Sequence, residues 1–148
     1  QRLIGRSLRS VIDLEELKDL QIIIDCDVIQ ADGGTRTASI SGAFVALQLC
    51  IHNMLDKKVI KKNPLRESIA AISCGIIHGE PFLDLDFEED QNAEVDANFV
   101  ITETGKLVEV QMTSEKKLCS EKSFNTMLHL AKSGITKIIQ IQKKTISG

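Results

Sequence analysis

The sequence predicts a domain of the α/β or α+β class, with helices packed against a β-sheet. Two observations support this fold class. Runs rich in β-branched residues are bounded by turn residues, and segments with apolar residues at helical spacing lie between them. In addition, 43% of the 148 residues are hydrophobic, which is enough to build one core. We therefore expect a single domain over residues 1–148, without internal repeats or low-complexity tracts.

The first predicted element is a helix that starts at Gln1 and runs to Ile12. Its apolar residues share one face, and three arginines at positions i, i+4 and i+7 share another: Arg2, Arg6 and Arg9. Two interpretations of these arginines stay open. They pair with carboxylates or a neighbouring subunit, or they form a stripe that faces phosphate groups.

A strand, a glycine turn and a helix are predicted next. Residues 20–29 are rich in isoleucine and predict a strand, Gly33 and Gly34 predict a turn, and residues 39–54 have helical periodicity. A helix opening leaves N–H groups unpaired and attracts anions, glycine permits close backbone approach, and an arginine adds a bidentate donor. A phosphate cradle at this turn competes with an ordinary turn that has a threonine cap. Neither a P-loop nor a GxGxxG pattern is present.

Two aspartates on the predicted strand, Asp25 and Asp27, share one face because side chains alternate along a strand. We expect them to be exposed to solvent or paired with Arg36, rather than to orient the cradle. Carboxylates beside an anion site would repel its ligand.

Two hairpins and a helical segment are predicted in the second half. The first hairpin covers residues 69–86 around the turn His78-Gly79, and the second covers residues 98–111 around Thr104-Gly105. After a serine cap at Ser120, an amphipathic helix is predicted to break at Gly134 and to resume over residues 135–141. These last segments are expected to cover one face of the sheet.

An acidic run follows the first hairpin. Seven carboxylates that are so close in sequence repel one another, so they point apart into water or gather around a cation. The run does not have the EF-hand pattern, and both alternatives stay open on the residues alone. The seven residues are Asp84, Asp86, Glu88, Glu89, Asp90, Glu94 and Asp96.

Composition excludes several other function classes. A net charge of −3 and the lack of Trp and Tyr argue against a general nucleic-acid binder, and the short lysine pairs are interpreted as solvated surface. The four cysteines form no CxxC pair, so we expect reduced packing residues and no zinc site. No histidine has the surroundings of a catalytic residue. No apolar run suggests a membrane span, and we expect a soluble intracellular protein.

Three stretches together resemble the ribonuclease PH family. They are residues 25–43, which include Ala-Asp-Gly-Gly-Thr-Arg-Thr-Ala-Ser, residues 84–90, and residues 108–111. The resemblance extends over essentially all of the chain but matches only the C-terminal part of the family, so the family's N-terminal part is missing from it. It implies a βαβ-type mixed sheet, as in the second domain of ribosomal protein S5, and a hexameric ring in the cytoplasm.

The resemblance also implies an activity. Members of the family are phosphate-dependent 3′ to 5′ exoribonucleases that trim the 3′ ends of tRNA precursors and process rRNA, releasing nucleoside diphosphates. Inorganic phosphate is then the co-substrate, held at Gly34, Thr35 and Arg36. Asp90 and Asp96 match the catalytic aspartates, which are associated with Mg²⁺.

Departures from the family pattern keep a second hypothesis open. Met112 stands where the family typically has a glycine, residues 116–118 replace a loop with glycine and proline, and Gln91 and Asn92 replace small residues. A methionine could displace a neighbour if that glycine permits close approach. Together with the missing part, these departures suit an inactive remnant that acts only as an interaction or RNA-binding subunit.

Overall fold

The structure is a computed structural model that describes residues 2–147. Gln1, at the start of the first predicted helix, and Gly148 therefore lie outside the described residues. The helices and strands in chain order are α1 Arg2–Ser10, a short 3₁₀ turn Leu14–Leu17, α2 Thr35–Asp56, β1 Ile69–Ile77, β2 Glu80–Leu83, α3 Phe87–Asn92, β3 Val95–Thr102, β4 Leu107–Ser114 and α4 Glu121–Ser147.

The strands form one sheet in the order β2-β1-β3-β4. Each neighbouring pair is antiparallel, so within residues 2–147 the sheet is not the mixed sheet that was expected. Tight turns explain the pairs β1–β2 and β3–β4, because a short turn can only return the chain antiparallel. Since β2 and β3 are both antiparallel to β1, they run in the same direction, and α3 connects them across β1. A βαβ-type connection is thus present, and the predicted fold class is confirmed.

Helices cover both faces of the sheet. One core cluster joins α1 and α2 to alternate residues of β1, including Ile69 and Ala71. The other cluster joins α4 to the intervening residues, including Ala70 and Ile72. All nine residues of β1 are buried as a result. The prediction that the last helical segment covers one face of the sheet is confirmed.

Both predicted hairpins are confirmed. His78 and Gly79 connect β1 to β2 with φ angles of 52° and 82°, as the two central residues of a type I′ turn require. Gly105, with φ of 83°, lies in the turn between β3 and β4. These turns are local features, so the sequence was sufficient to place them.

The predicted strand over residues 20–29 is wrong. The segment lies outside every helix and strand, and Ile22 and Ile24 are half-buried against the first core cluster while Ile23 is 74% exposed. This alternation suits an extended backbone, but residues 2–147 provide no strand that pairs with it. The sequence pattern of one segment could not identify a strand partner for it.

The predicted break at Gly134 is also wrong, because α4 continues from Glu121 to Ser147. A Cβ at Gly134 would lie 2.6 Å from Cδ1 of Ile72. Glycine therefore allows α4 to lie close to the sheet, and packing on both sides offsets the helix-propensity cost of about 1 kcal/mol. The predicted cap is confirmed, since the Ser123 N–H donates to Oγ of Ser120 over 3.1 Å.

Helix α2 begins at Thr35, four residues before the predicted start, and by length and composition it could cross a membrane. No such run was expected from the sequence. Core helices of soluble proteins pass the same test, and one face of α2 is fully buried in the first core cluster, with Ile40, Phe44, Leu47 and Ile51 each no more than 3% exposed.

Candidate active site

The glycine turn forms the N-terminus of α2. Gly34 occupies the N-cap position, with a left-handed φ of 69° that glycine adopts without strain. Because glycine has no side chain, no side-chain hydrogen bond caps the helix. The Gly34 carbonyl accepts hydrogen bonds from Oγ1 of Thr37 at 2.7 Å and from the Ala38 N–H at 2.9 Å. The proposed alternative of a threonine cap is wrong. Thr35 and Arg36 instead occupy the first turn of α2, where backbone N–H groups lack helical partners.

The acidic run folds around a short helix that the sequence analysis did not predict. Asp86 caps α3 reciprocally with Glu89: the Glu89 N–H donates to Oδ1 of Asp86, and the Asp86 N–H donates to Oε2 of Glu89. Asp90 lies on α3 and is exposed, whereas Asp96 lies on β3 and is partly buried. The Asp-x-x-Glu spacing of a capping box could have identified this helix from sequence.

The turn and the acidic run are in direct contact. A Cβ at Gly33 would lie 1.9 Å from the Leu85 carbonyl oxygen, so only glycine fits. Oδ1 of Asp32 accepts a hydrogen bond from the Gly33 N–H at 2.8 Å and another from the Phe87 N–H at 2.7 Å. Two motifs more than 50 residues apart in sequence therefore share one boundary.

Ser73 supports the same boundary from the sheet. Its Oγ accepts a hydrogen bond from the Leu85 N–H at 3.2 Å, and its carbonyl accepts one from the Asp84 N–H at 2.8 Å. A Cβ at Gly34 would lie 3.3 Å from Oγ of Ser73. The buried strand β1 thus provides a floor under both the glycine turn and the start of the acidic run.

Three of the predicted site residues interact electrostatically. Burial raises the pKa of Asp96 above its ordinary value, and the negative charge of Asp90 raises it further. Arg36 lowers the pKa of Asp96, and Glu115 raises it. Charges act over short distances in a partly buried site, so Arg36, Asp90 and Asp96 are brought into one neighbourhood. Sequence reasoning missed Asp32, Ser73 and Glu115, because only the tertiary contacts reveal them.

The donor set at Asp90 and Asp96 fits Mg²⁺. Among residues 2–147 no group of three possible side-chain ligands gathers around one point. Mg²⁺ does not need one, since it is commonly held by one or two carboxylates together with water and substrate phosphates. The pKa of Asp96 is raised by the charge of Asp90, so a divalent cation between the two would relieve their repulsion.

Other predicted residues have structural explanations. Arg6 of α1 forms an ion pair with Glu109 of β4, which favours the carboxylate-pairing interpretation for this arginine. Asp25 and Asp27 are exposed, as expected. Met112 is 42% exposed on β4 and lies opposite Ala97, so it displaces no neighbour within the described residues.

The cysteines are free, as predicted, but they do not share one environment. Cys74 is buried in β1, and burial raises the pKa of its thiol to about 12. Cys50 and Cys119 are partly buried. Cys26 is exposed, so the expectation of a packing role is wrong for it, because the strand that would have buried it is not paired.

Comparisons with known proteins place the chain in a family. The profile described as "3' exoribonuclease family, domain 1" matches residues 1–51, and the profile described as "3' exoribonuclease family, domain 2" matches residues 67–134. The chain belongs to the 3′ exoribonuclease family, since the two profiles together span most of it. A curated relative, the ribonuclease PH of Caulobacter vibrioides, is 52% identical over all 148 residues. The chain spans 62% of the length of that relative, and the resemblance to ribonuclease PH is confirmed.

Solved structures share the fold at lower identity. The crystal structure of rice (Oryza sativa) Rrp46 matches with a TM-score of 0.71 at 18% identity. The match covers 100% of this chain and 64% of the Rrp46 chain. An archaeal exosome core matches with a TM-score of 0.69 at 18% identity, and the match covers 96% of this chain and 61% of the exosome chain. The Archaeoglobus fulgidus exosome with RNA bound to the active site matches with a TM-score of 0.67 at 17% identity. The match covers 94% of this chain and 58% of the exosome chain.

Proposed function

We propose that this chain forms the catalytic part of a phosphate-dependent 3′ to 5′ exoribonuclease that trims the 3′ ends of tRNA precursors and releases nucleoside diphosphates. The observation that carries the proposal is the contact between the glycine turn and the acidic run. This contact puts Arg36 and Asp90 close enough to Asp96 for both to act on its pKa. Membership of the 3′ exoribonuclease family supports the same activity.

Inorganic phosphate is the proposed nucleophile. The N-terminus of α2 presents unpaired N–H groups at Gly34, Thr35 and Arg36, and the Arg36 guanidinium adds a bidentate cation. A phosphate oxygen attacks the phosphorus of the terminal phosphodiester, and the bond from that phosphorus to the 3′ oxygen of the preceding nucleotide breaks. The terminal nucleotide leaves as a nucleoside diphosphate, and the RNA keeps a free 3′ hydroxyl. No protein nucleophile is required.

Asp90 and Asp96 would hold Mg²⁺. When bound, the ion supplies Lewis-acid chemistry that polarises the terminal phosphodiester and stabilises the departing 3′ oxygen. The two carboxylates come from different elements, α3 and β3, so each is oriented by its own backbone. Arg36 balances their negative charge on the side of the glycine turn, where the attacking anion binds.

RNA 3′ ends are the proposed substrate class, and we propose a hexameric ring in the cytoplasm as the working assembly. Two of the structural relatives are exosome particles, one of them with RNA in its active site. The chain has a net charge of −3 and no aromatic stacking platform of Trp or Tyr, so RNA has to be held by few local contacts. Assembly would multiply such contacts around one strand.

A companion polypeptide is the second proposed partner. Residues 20–29 present four aliphatic side chains to solvent, with Leu20 42%, Ile23 74%, Val28 54% and Ile29 100% exposed. The same segment borders a groove of 910 Å³ whose walls include Ile4, Leu8 and Leu47. The chain spans 62% of the length of the curated relative, and we propose that a polypeptide corresponding to the unmatched part covers this surface. We expect little activity from the chain unless such a companion is supplied.

An inactive interaction subunit is the alternative. The specific observation in its favour is that the segment leading into the glycine turn has no strand partner within residues 2–147. A turn held from one side would bind phosphate weakly. This alternative predicts association with other polypeptides or RNA without phosphate-dependent turnover.

The test is the release of nucleoside diphosphates from a 3′-extended tRNA with Mg²⁺, with and without phosphate. The chain is assayed alone and together with a separately produced polypeptide that corresponds to the unmatched part of the Caulobacter relative. We expect turnover that needs phosphate, and a loss of roughly 100- to 1,000-fold in Asp90→Asn, because charge stabilisation in a transition state has effects of this size.

Glu88→Gln is the matched control, since Glu88 is an exposed carboxylate on the same helix as Asp90. It should retain the activity of the unmodified chain. Release of nucleoside monophosphates without phosphate would overturn the phosphorolytic mechanism. A folded chain that shows no turnover with any companion would establish the alternative.

A further inference from the structure

We propose that Asp32 is a positioning residue that fixes the phosphate-binding turn against the acidic helix. Asp32 directly precedes the two glycines, and its side chain is exposed. The inference rests on the proposed phosphorolytic function but assigns a role to a residue outside the catalytic set. Asp32 acts through the backbone of Gly33 and Phe87 rather than through contact with the reacting groups.

The Asp32 side chain joins the two motifs through hydrogen bonds to their backbones. A single oxygen, Oδ1 of Asp32, accepts from the Gly33 N–H at 2.8 Å and from the Phe87 N–H at 2.7 Å. Phe87 is the first residue of α3, where the N–H has no helical acceptor, and Gly33 directly precedes the N-cap of α2. One carboxylate therefore accepts from the backbone just before the N-cap of α2 and from the first N–H of α3. Such bonds to an ionised acceptor are short and strong.

Space is also lacking where the two motifs meet. The hypothetical Cβ of Gly33 falls 1.9 Å from the Leu85 carbonyl oxygen and 2.8 Å from the Asp86 carbonyl oxygen. The backbone of the turn thus rests on the two residues that precede α3. Contact prevents the two motifs from moving closer together, and the Asp32 carboxylate prevents them from moving apart.

The junction of Gly33 with Phe87 lies close in sequence to two of the proposed site residues. Arg36 lies one helical turn beyond Gly33, and Asp90 lies one turn beyond Phe87. Arg36 belongs to the phosphate side of the proposed site, and Asp90 belongs to its carboxylate side. A change in the separation of Gly33 and Phe87 therefore alters the distance between bound phosphate and the carboxylates. A displacement of about 1 Å can reduce turnover about 100-fold.

The role needs hydrogen-bond acceptance and does not need negative charge. An asparagine at position 32 keeps an oxygen in the place of Oδ1 and can turn its amide nitrogen toward solvent. Alanine removes the acceptor. In addition, a carboxylate so close to a phosphate site repels its ligand, so loss of the charge alone should not weaken phosphate binding.

The test compares Asp32→Ala, Asp32→Asn and the control Asp27→Ala, with an exposed carboxylate removed earlier in the same segment. In the active form of the protein, kcat and the KM for phosphate are measured over a phosphate titration. We expect Asp32→Ala to lower kcat by roughly 10- to 100-fold and to raise the KM for phosphate, because the turn is displaced. Asp32→Asn should recover to within about threefold, and Asp27→Ala should match the unmodified protein.

Amide hydrogen exchange at Gly33 and Phe87 is measured by NMR on the same variants, independently of turnover. We expect both amides to exchange roughly tenfold faster or more in Asp32→Ala and to stay protected in Asp32→Asn. If the amides of Gly33 and Phe87 stay equally protected in Asp32→Ala, the positioning role is overturned, whatever the activity. Equal loss of activity in Asp32→Ala and Asp32→Asn would overturn the positioning role in favour of a charge effect.

The two measurements separate failure of this inference from failure of the proposed function. If the unmodified protein releases no nucleoside diphosphate with any companion, the proposed function fails, and the positioning role fails with it even when the amides lose protection. If the protein is active and the alanine variant keeps its kinetic constants, only the role of Asp32 fails.

Discussion

The two motifs of the candidate site are supported by different kinds of backbone. The acidic run lies between β2 and β3, which flank the fully buried strand β1. The glycine turn is reached through residues 20–31, which lie outside the sheet and include Ile29 with a fully exposed side chain. The carboxylate side of the site is therefore fixed by the sheet. The phosphate side depends on α2 and on contacts at Asp32 and Gly33.

The phosphate side of the site should be easier to disturb than the carboxylate side. Strand pairing distributes the cost of a local change over many hydrogen bonds, whereas a segment without strand partners opens at low free energy. A companion that covers residues 20–29 would stabilise the phosphate side and leave the carboxylate side almost unchanged. The two regions should therefore differ in thiol reactivity, in stability, in tolerance of a substitution at their junction and in response to pH.

Thiol labelling should show the largest contrast between the two regions. In a variant with Cys50 and Cys119 replaced by serine, exposed Cys26 should react rapidly, while buried Cys74 should react at least about 1,000-fold more slowly. Reaction at Cys74 needs opening of the sheet, and burial also raises the pKa of its thiol to about 12. Stopped-flow and manual labelling with a thiol reagent measure both rates. Similar rates would show that the sheet is no more stable than the segment.

Core truncation should separate the regions in stability. Phe99 of β3 is fully buried and packs against Phe124 with ring centroids 6.0 Å apart. Phe99→Ala should lower the free energy of unfolding by about 3–5 kcal/mol through lost burial and a residual cavity. The matched variant Ile29→Ala should change it by less than about 0.5 kcal/mol. Urea denaturation followed by circular dichroism measures both, and a large loss in Ile29→Ala would reveal contacts made by the segment.

Gly33→Ala tests the junction where the two regions meet. Since its Cβ would overlap the Leu85 carbonyl oxygen, the turn must shift, and we expect a loss of roughly 100-fold in kcat. Gly42→Ala is the control, because a Cβ at this exposed position of α2 meets nothing within 4 Å. It should raise stability by about 0.4–1 kcal/mol and leave turnover unchanged. Full activity in Gly33→Ala would mean that the turn and the acidic run do not need this contact.

The pH dependence of Glu67 should give the smallest effect. Hydrogen bonds from Thr104 and Lys106 lower the pKa of Glu67 from 4.5 to about 2. A lowered pKa in the folded state stabilises the protein above pH 4.5, and this stabilisation is lost as the pH falls toward 2. Glu67→Gln should therefore be less stable at pH 7, by under about 1 kcal/mol because the partners are near solvent. The difference should shrink as the pH is lowered.

Thermal unfolding of Glu67→Gln and the unmodified chain at several pH values measures this difference. Glu80→Gln, at an exposed position of β2, serves as the control. A difference that grows on acidification would contradict the assigned direction of the pKa shift. A difference of several kcal/mol would show that this surface network does more for the sheet than exposed ion pairs usually do.

Local chemistry made much of the fold predictable. The turns at His78-Gly79 and Thr104-Gly105 and the cap at Ser120 depend on residues a few positions apart, and all three are present. The site residues were expected from the resemblance to the ribonuclease PH family, since the residues alone left both motifs open. The structure brings Arg36, Asp90 and Asp96 together, while their roles in catalysis stay predictions.

Neighbours along the chain were enough to predict the two hairpins, the cap at Ser120 and the helical character of α1 and α2, whereas the site residues followed from the resemblance to a known family. Only the tertiary structure decided that residues 20–29 lack a strand partner, that α4 continues through Gly134, and that Asp32 joins the glycine turn to α3. The physical reason is distance in sequence. Asp32 and Phe87 are 55 residues apart, and no local propensity specifies which distant donor a carboxylate will meet.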